Sequence, residues 1–554
     1  MSTPVRLLKI REESDSAIIA CLEKAMISDG RNVPSGGEFD IVLVSGEPYV
    51  DHPLSATGVI ARVLDAKGYK VGVIGRPDWK RDEDFLKLGR PRLFFGITSG
   101  SMDSLLVNYT SLKRERAKDP NVPYHSGIPD RAVLVYANKL RHLFPGSRLV
   151  LGGIEASLRR FAHYDYWENK VRRSLLLDSR ADILVYGPGE KQALEIARRL
   201  GKGEDLLGVP GTCIVRRELP PGFSVIPSYE ETSRDPARFC EAQRFFSNRR
   251  HLAQAHAGRT VLQYPMPEYT TADLDWIYGL PYSRRVPPDF PEFAMARFSI
   301  VTHRGCIGDC SFCSLTLHQG DRVVSRSEES ILEEIRRLTR HPEFNGYIDD
   351  LGGPTANMYG MDCRTPCSEG RCLPCRKLDR SHGRLIRLMK RARAIPGVKK
   401  VYVRSGIRYD LAMESREYLR ELCTHHVSGL LKIAPEHVSP RVLRLMNKGR
   451  DRSDEFRRLF KELNRGRRQQ LKGYYMVAHP GTSEKEAREL ARHLEKLERE
   501  GERPVEGVQI FTPTPMTRST CMYHTGIDPV TGEKVYVPRT FAEKKKQKRL
   551  LEKR

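Results

Sequence analysis

The sequence predicts an α/β chain: an N-terminal doubly wound parallel sheet domain followed by a partial (βα)6 barrel. Two observations predict it. Short, continuously apolar runs that end in Gly, Pro or Ser alternate with longer mixed segments, the pattern of parallel strands covered on both faces. That alternation then breaks off across a stretch rich in Pro, Arg and aromatics, and restarts at Phe298. The 554 residues exceed one ordinary core, so more than one domain is expected. A content of 39% hydrophobic and 8% aromatic residues is enough for packed cores.

The first series starts after an N-terminal extension, residues 1–37. Ile41-Val42-Leu43-Val44 reads as a buried strand, and Leu54 to Lys67 as a helix that Gly68 ends. Strands follow at Val71–Gly75, Leu93–Ile97, Arg148–Gly153 and Asp182–Gly187. They delimit a doubly wound domain at 38–205. In such sheets ligands sit beyond the carboxyl ends of the strands. Those ends carry Glu47-Pro48-Tyr49-Val50-Asp51-His52, Thr98-Ser99-Gly100-Ser101, Gly153-Ile154-Glu155-Ala156-Ser157 and Gly187-Pro188-Gly189-Glu190. Residues 206–291 read as a linker with an Arg/Phe-rich helical stretch near 234–255.

The second series fills 292–535. Its strands are expected at 298–302, 346–351, 399–404, 429–433, 472–478 and 507–511, with helices between them. Ser327 can cap one helix, with Glu328 and Glu329 at its positive end and Ile331, Leu332, Ile335 and Leu338 on one face. Another starts at Ser439-Pro440 and stops at Gly449, and a third runs from Ser483 to Gly501. A Cys-rich insertion occupies 360–378. Residues 536–554 form a basic tail whose run Lys544-Lys545-Lys546-Gln547-Lys548-Arg549 reads as a frayed terminal helix.

Net charge is +24. A basic balance of this size makes RNA a candidate partner. Yet pairs such as Arg159-Arg160, Arg172-Arg173 and Arg336-Arg337 are spread along the chain, as on charged helix faces. No apolar run is long enough to span a bilayer, and the first residues lack the pattern of a secretory signal. A cytoplasmic location without membrane contact is expected. There the twelve cysteines stay reduced, and clustered ones point to metal.

The segment that decides the chemistry is Arg304-Gly305-Cys306-Ile307-Gly308-Asp309-Cys310-Ser311-Phe312-Cys313. It follows the first strand of the second series as a loop at its carboxyl end. Three thiolates spaced x3 and x2 can wrap three corners of a 4Fe-4S cubane, since soft thiolates suit iron-sulfur clusters. One iron then stays open to chelate the amino and carboxylate groups of S-adenosylmethionine (SAM). Zinc would need a fourth ligand, for which His303, Asp309 or His318 stand nearby.

This spacing, with Phe312 before the third cysteine, resembles the radical SAM signature. Asp350-Leu351-Gly352-Gly353-Pro354-Thr355 stands where that superfamily has a Gly-Gly-Glu segment, whose backbone contacts the amino group of SAM; the acidic residue is missing here. Lys432-Ile433-Ala434-Pro435-Glu436-His437 stands where relatives place a polar residue on SAM, so Glu436 or His437 is a candidate. Val477-Ala478-His479-Pro480-Gly481-Thr482 resembles the segment beside the adenine, with Pro480 its candidate contact. Together with Gly152-Gly153-Ile154-Glu155-Ala156-Ser157-Leu158-Arg159-Arg160-Phe161, Ser325-Arg326-Ser327-Glu328, Ala356-Asn357-Met358-Tyr359 and Phe511-Thr512-Pro513, these segments resemble the YgiQ-type radical SAM family from about 38 to 540. The resemblance implies a radical SAM enzyme that makes a 5′-deoxyadenosyl radical, takes electrons from a reductant such as flavodoxin or ferredoxin, and acts on an unknown substrate. Longer family members carry a further C-terminal region.

Cys363, Cys367, Cys372 and Cys375 lie within thirteen residues. Four such thiolates suit a structural zinc site first and an auxiliary iron-sulfur cluster second. Cys21, Cys213, Cys240, Cys423 and Cys521 read as core or surface residues. The N-terminal domain resembles cobalamin-binding ones, and Asp51-His52-Pro53 sits where a cobalamin-binding loop would. The cobalt-ligating spacing Asp-x-His-x-x-Gly is absent, however, which counts against cobalamin and favours a domain that only shapes the substrate cavity. Two other functions stay open: methylthiotransferase-like modification of RNA or protein, against which the lack of an all-β module after 515 counts, and a non-catalytic metal-binding scaffold for nucleic acid.

Overall fold

The computed structural model of the chain describes residues 38–116, 127–288, 290–363, 367, 372–502 and 505–552. The N-terminal extension, Cys21 and parts of the Cys-rich insertion lie outside the described residues.

Nine strands form the N-terminal sheet: β1 (Ile41–Ser45), β2 (Val71–Gly75), β3 (Phe94–Thr98), β4 (Leu149–Leu151), β5 (Ile183–Val185), β6 (Thr212–Arg216), β7 (Ser224–Ile226), β8 (Leu252–His256) and β9 (Arg259–Gln263). Their order is β2-β1-β3-β4-β5-β6-β9-β8-β7. The first five run parallel. Both faces of β1 are buried: Val42 and Val44 enter one core, Ile41 and Leu43 the other. That is why the run carries no polar alternation. The helix Ala56–Asp65 returns the chain to β2, with the Ser55 hydroxyl accepting from the Gly58 amide, and Gly68 takes the left-handed conformation (φ 85°) just beyond it.

The expected linker at 206–291 proves to be sheet. β6, β8 and β9 add antiparallel strands to β5 and β7 closes the edge. Its polar residues misled the pattern because some are interior. Gln254 accepts from the Ala162 amide at 2.7 Å and donates to the Pro227 carbonyl at 2.9 Å, fully buried. In the stretch near 234–255 the helix is Pro236–Phe245, which follows helix Tyr229–Arg234.

The second domain is an open arc of six parallel strands: β10 (Ser299–Val301), β11 (Asp350–Gly352), β12 (Lys400–Val401), β13 (Leu430–Glu436), β14 (Gln470–Val477) and β15 (Val505–Ile510). β10 pairs with β11, Tyr347–Ile348 just before β11 pairs with β12, Ile407 bridges to Ile433, and β13, β14 and β15 form one sheet. Helices Glu328–Leu338, Gly383–Arg393, Ser453–Leu463 and Glu484–Arg499 cover the outside. Ser327 caps the first by accepting from the Ser330 amide at 3.1 Å, and Ser483 forms a capping box with Glu486 on the last.

The basic tail is not frayed. Helix Phe541–Glu552 packs on Glu484–Arg499 and on β14 and β15, and Leu551 joins the core of Tyr475, Val477, Leu490 and Leu494. Lys544 is fully buried, its Nζ donating at 2.9 Å to the hydroxyls of both Tyr166 and Tyr523. Arg159 and Arg160 are buried too, so they add nothing to the surface charge. Arg159 pairs with Asp103, and Arg160 donates to Gln263 and Asn248.

Candidate functional site

Cys306, Cys310 and Cys313 lie on the loop that leaves β10. Gly305 opens it with φ 80°, and a Cβ there would run into the Arg322 carbonyl oxygen. The Cys306 amide donates to the Gly320 carbonyl at 3.2 Å. Loops from later strands pin the far side. The Ser311 amide donates to the Met446 carbonyl at 2.9 Å, and the Ser519 amide donates to the Ser311 carbonyl at 2.9 Å. The Asp309 carbonyl accepts from Asn447 at 2.7 Å and from Arg518 at 2.6 Å. Two later barrel connections thus hold one loop.

Gly308 leaves room inside it. A Cβ there would stand 3.3 Å from the Cys306 sulfur, 3.8 Å from the Cys310 sulfur and 2.8 Å from Arg408 Nη1. Two thiols and a guanidinium therefore face a space that any larger residue would fill. Arg408 lies 3.9 Å from the Cys310 sulfur and is held by Asp410 at 3.0 Å. Burial pushes the Cys306 thiol up, and pushes that of Cys313 up to about 12. Among the described residues no three His, Cys, Asp or Glu side chains close around a single-ion position.

The other expected contacts stand around this loop. Gly352 and Gly353 are required by close approach. A Cβ on Gly352 would meet Ser405 Oγ at 2.5 Å, and one on Gly353 would meet His303 Cε1 at 2.5 Å. Glu436 ends β13 with φ 70°; burial raises its carboxyl, with Lys448 opposing. The His437 ring is buried and lowered to about 4, its Nδ1 accepting from the Ser439 amide at 3.0 Å and its Nε2 without a hydrogen-bond partner among the described residues. His479 has both ring nitrogens engaged, by the Pro480 carbonyl at 2.8 Å and Ser519 Oγ at 2.7 Å. Phe312 packs against the cluster of Val442, Leu443 and Met446, its ring 6.3 Å from that of His479. A cavity of about 440 Å³ borders the loop, lined by Cys310, Cys313, Gln243, Arg244 and Arg518 among others.

Sequence reasoning did not single out the residues that dock the two domains at this loop. Arg304, two residues before Cys306, pairs with Glu190 at 2.7 Å and donates to Tyr278 at 2.8 Å. His318 Nδ1 lies 2.9 Å from Ser157 Oγ, and Asn248 donates to the carbonyls of Thr316 and Leu317 at 3.0 and 3.2 Å. Glu190 and Ser157 belong to segments already placed at strand ends, which was the available signal. Arg408 carried none.

Cys363, Cys372 and Cys375 are half-buried and Cys367 is exposed. Cys372 and Leu373 pack against the cluster of Cys306, Ile307, Met358 and Met361, so the insertion adjoins the first loop. Cys213, Cys240, Cys423 and Cys521 are buried. His52 has no free ring nitrogen: Nδ1 accepts from the Leu54 amide at 3.0 Å and Nε2 lies 2.9 Å from the Arg297 carbonyl oxygen. No helix among the described residues is long and apolar enough to cross a membrane.

Comparison with known proteins agrees with this architecture. Residues 31–301 match the family model Radical SAM N-terminal, 300–494 match Radical SAM superfamily, and 506–554 match a domain of unknown function, DUF3362. A UPF0313 protein of Methanosarcina acetivorans is 44% identical over 93% of this chain and 76% of its own length. One of Geobacter sulfurreducens is 46% identical over 93% of this chain and 89% of its own. Among solved structures, the radical SAM methyltransferase TsrM from Kitasatospora setae, with cobalamin and a [4Fe-4S] cluster bound, aligns over 86% of this chain and 73% of its own. Its TM-score is 0.51 at 20% identity, a likeness of fold. The family is the YgiQ-type family that the motifs resembled, and the chain is a radical SAM enzyme belonging to the UPF0313 family.

Proposed function

We propose that Cys306, Cys310 and Cys313 hold the 4Fe-4S cluster and leave its fourth iron to SAM. One observation carries this reading: the three thiols share a loop whose interior Gly308 keeps open between Cys306, Cys310 and Arg408. The cluster, when bound, supplies the electron that cleaves SAM to methionine and a 5′-deoxyadenosyl radical. The chain's residues do the rest. The Gly352–Gly353 backbone receives the amino group of SAM, Glu436 or His437 its polar edge, and Phe312 with the Pro480 segment its adenine. Arg408 steadies the negative charge of thiolate-bound iron. The N-terminal sheet covers the loop through Glu190, Ser157 and Asn248 and keeps water from it. A flavodoxin- or ferredoxin-type reductant approaches by the Arg244–Arg518 face.

The test is anaerobic reconstitution followed by reduction in the presence of SAM. Release of 5′-deoxyadenosine is expected, with Cys310→Ala losing both the visible charge-transfer absorbance of thiolate-bound iron and the product. An intact cluster that yields no 5′-deoxyadenosine contradicts the reading.

Particular observations bear on two further ligands, zinc and a corrinoid. The four thiols at 363–375, on a polar rim insertion, support structural zinc ahead of an auxiliary cluster; zinc and iron content of a Cys306→Ala/Cys310→Ala/Cys313→Ala variant separates them. The β2-β1-β3-β4-β5 order with its crevice between β1 and β3 is a ligand-binding topology, and TsrM was solved with cobalamin. His52 is engaged through both ring nitrogens, so a corrinoid here would lack that cobalt ligand. The sheet reads first as a cover for the substrate cavity. Spectra after reconstitution with hydroxocobalamin test this, and a bound corrinoid would overturn it.

A further inference from the structure

At the end of the N-terminal sheet away from the cluster loop lies a second cavity, of about 610 Å³. Its position follows from the strand directions. Arg180 and Ala181 precede β5, whereas Gly187 to Glu190, which face the cluster loop, follow it. β6 runs antiparallel to β5 and β9 antiparallel to β6, so Val215 and the 256–259 turn stand at the Arg180 end.

Three arginines line it: Arg173, Arg180 and Arg259. Arg173 is paired with Asp178, while the guanidinium groups of Arg180 and Arg259 have no carboxylate partner among the described residues. Glu230 is the acidic group in the lining. The wall also carries His256, 4% exposed, with neither ring nitrogen hydrogen-bonded among the described residues. Buried polar atoms are rarely left so. Its ring is lowered to about 4, by burial first and then by Arg173, so at neutral pH it offers one donor and one acceptor. The Tyr229 ring lies nearly parallel to it, 11° between planes and 5.6 Å between centroids. Cationic guanidiniums at the rim recognise phosphate. A neutral donor–acceptor pair beside a flat ring recognises the edge and face of a heterocyclic base. The volume suits a small molecule.

From these groups we infer that this cavity binds a ribonucleoside 5′-monophosphate, its phosphate on Arg180 and Arg259 and its base against His256 and Tyr229. The site lies outside the radical SAM machinery and needs neither cluster nor SAM.

The test uses the full chain, saturated with SAM to occupy the barrel. Calorimetric titrations with the four ribonucleoside 5′-monophosphates, inorganic phosphate and an oligouridine are compared across variants. At least one mononucleotide is expected to bind about tenfold or more tighter than inorganic phosphate. Arg180→Gln/Arg259→Gln, two exposed positions that leave the core intact, should weaken it about tenfold or more, and His256→Asn should erase its advantage over inorganic phosphate. Formation of 5′-deoxyadenosine should not change in the arginine variant. Three results would overturn the inference: no mononucleotide binding, binding indifferent to the arginine pair, or binding of the oligouridine alone.

Discussion

Arg304 Nη2 and Glu190 Oε1 meet at 2.7 Å between the first barrel strand and the N-terminal sheet, two residues before Cys306. Tyr269 donates to the other Glu190 oxygen at 2.9 Å. Burial by itself would raise this carboxyl, but Arg304 and Tyr269 outweigh it and hold it below its ordinary value. Breaking a buried pair leaves an uncompensated charge and costs about 3 kcal/mol or more. Glu190→Gln should therefore lower the melting temperature and the iron retained on reconstitution.

The same pair sets a pH dependence. A carboxyl with a depressed folded-state pKa contributes its stability fully above the unfolded value of about 4.3, and loses it as pH falls through the folded one. The melting-temperature gap between wild type and Glu190→Gln should stay constant near neutrality and narrow in acid below about pH 4.3. A gap that widens there contradicts the assignment.

Gly353→Ala tests the close approach at the second strand end. The new methyl would stand 2.5 Å from the His303 ring, whose side chain is buried and has little room to move. Overpacking of this kind costs about 1–3 kcal/mol. SAM affinity should fall while the three thiols still take iron. Calorimetric SAM binding and iron analysis of one preparation check both.

Lys544 gives a second pH dependence, in the alkaline range. Burial lowers its ammonium to about 8, below the unfolded value of about 10.4. Between these values the unfolded chain binds more protons, so stability should rise with pH across that window. Lys544→Met should flatten the rise. Melting temperatures of both proteins from neutral to alkaline pH measure the difference.

These sites differ in how far the sequence announced them, and the difference is physical. β1 was legible because a parallel strand buried on both faces is a continuous apolar run, whereas β13 and β14 bury alternate residues and showed as short apolar stretches between helices. β8 was not, because two of the buried residues in Leu252-Ala253-Gln254-Ala255-His256 are polar, and Gln254 is there to serve the Ala162 amide and the Pro227 carbonyl. Lys544 sits in a run that composition reads as solvated, yet two tyrosine hydroxyls take its ammonium. The three-cysteine loop stood out as a candidate site from two spacings alone. Arg408, Glu190 and Asn447 reach it from far along the chain, and their approach is a product of the fold.

The most direct measurement is electron paramagnetic resonance of the reduced, reconstituted enzyme with and without SAM, in Cys310→Ala and in a variant with Cys363, Cys367, Cys372 and Cys375 all changed to Ala. The account predicts that the fourfold variant keeps a cluster signal that SAM perturbs, and that Cys310→Ala has none. A SAM-sensitive signal that survives in Cys310→Ala and vanishes in the fourfold variant would contradict it.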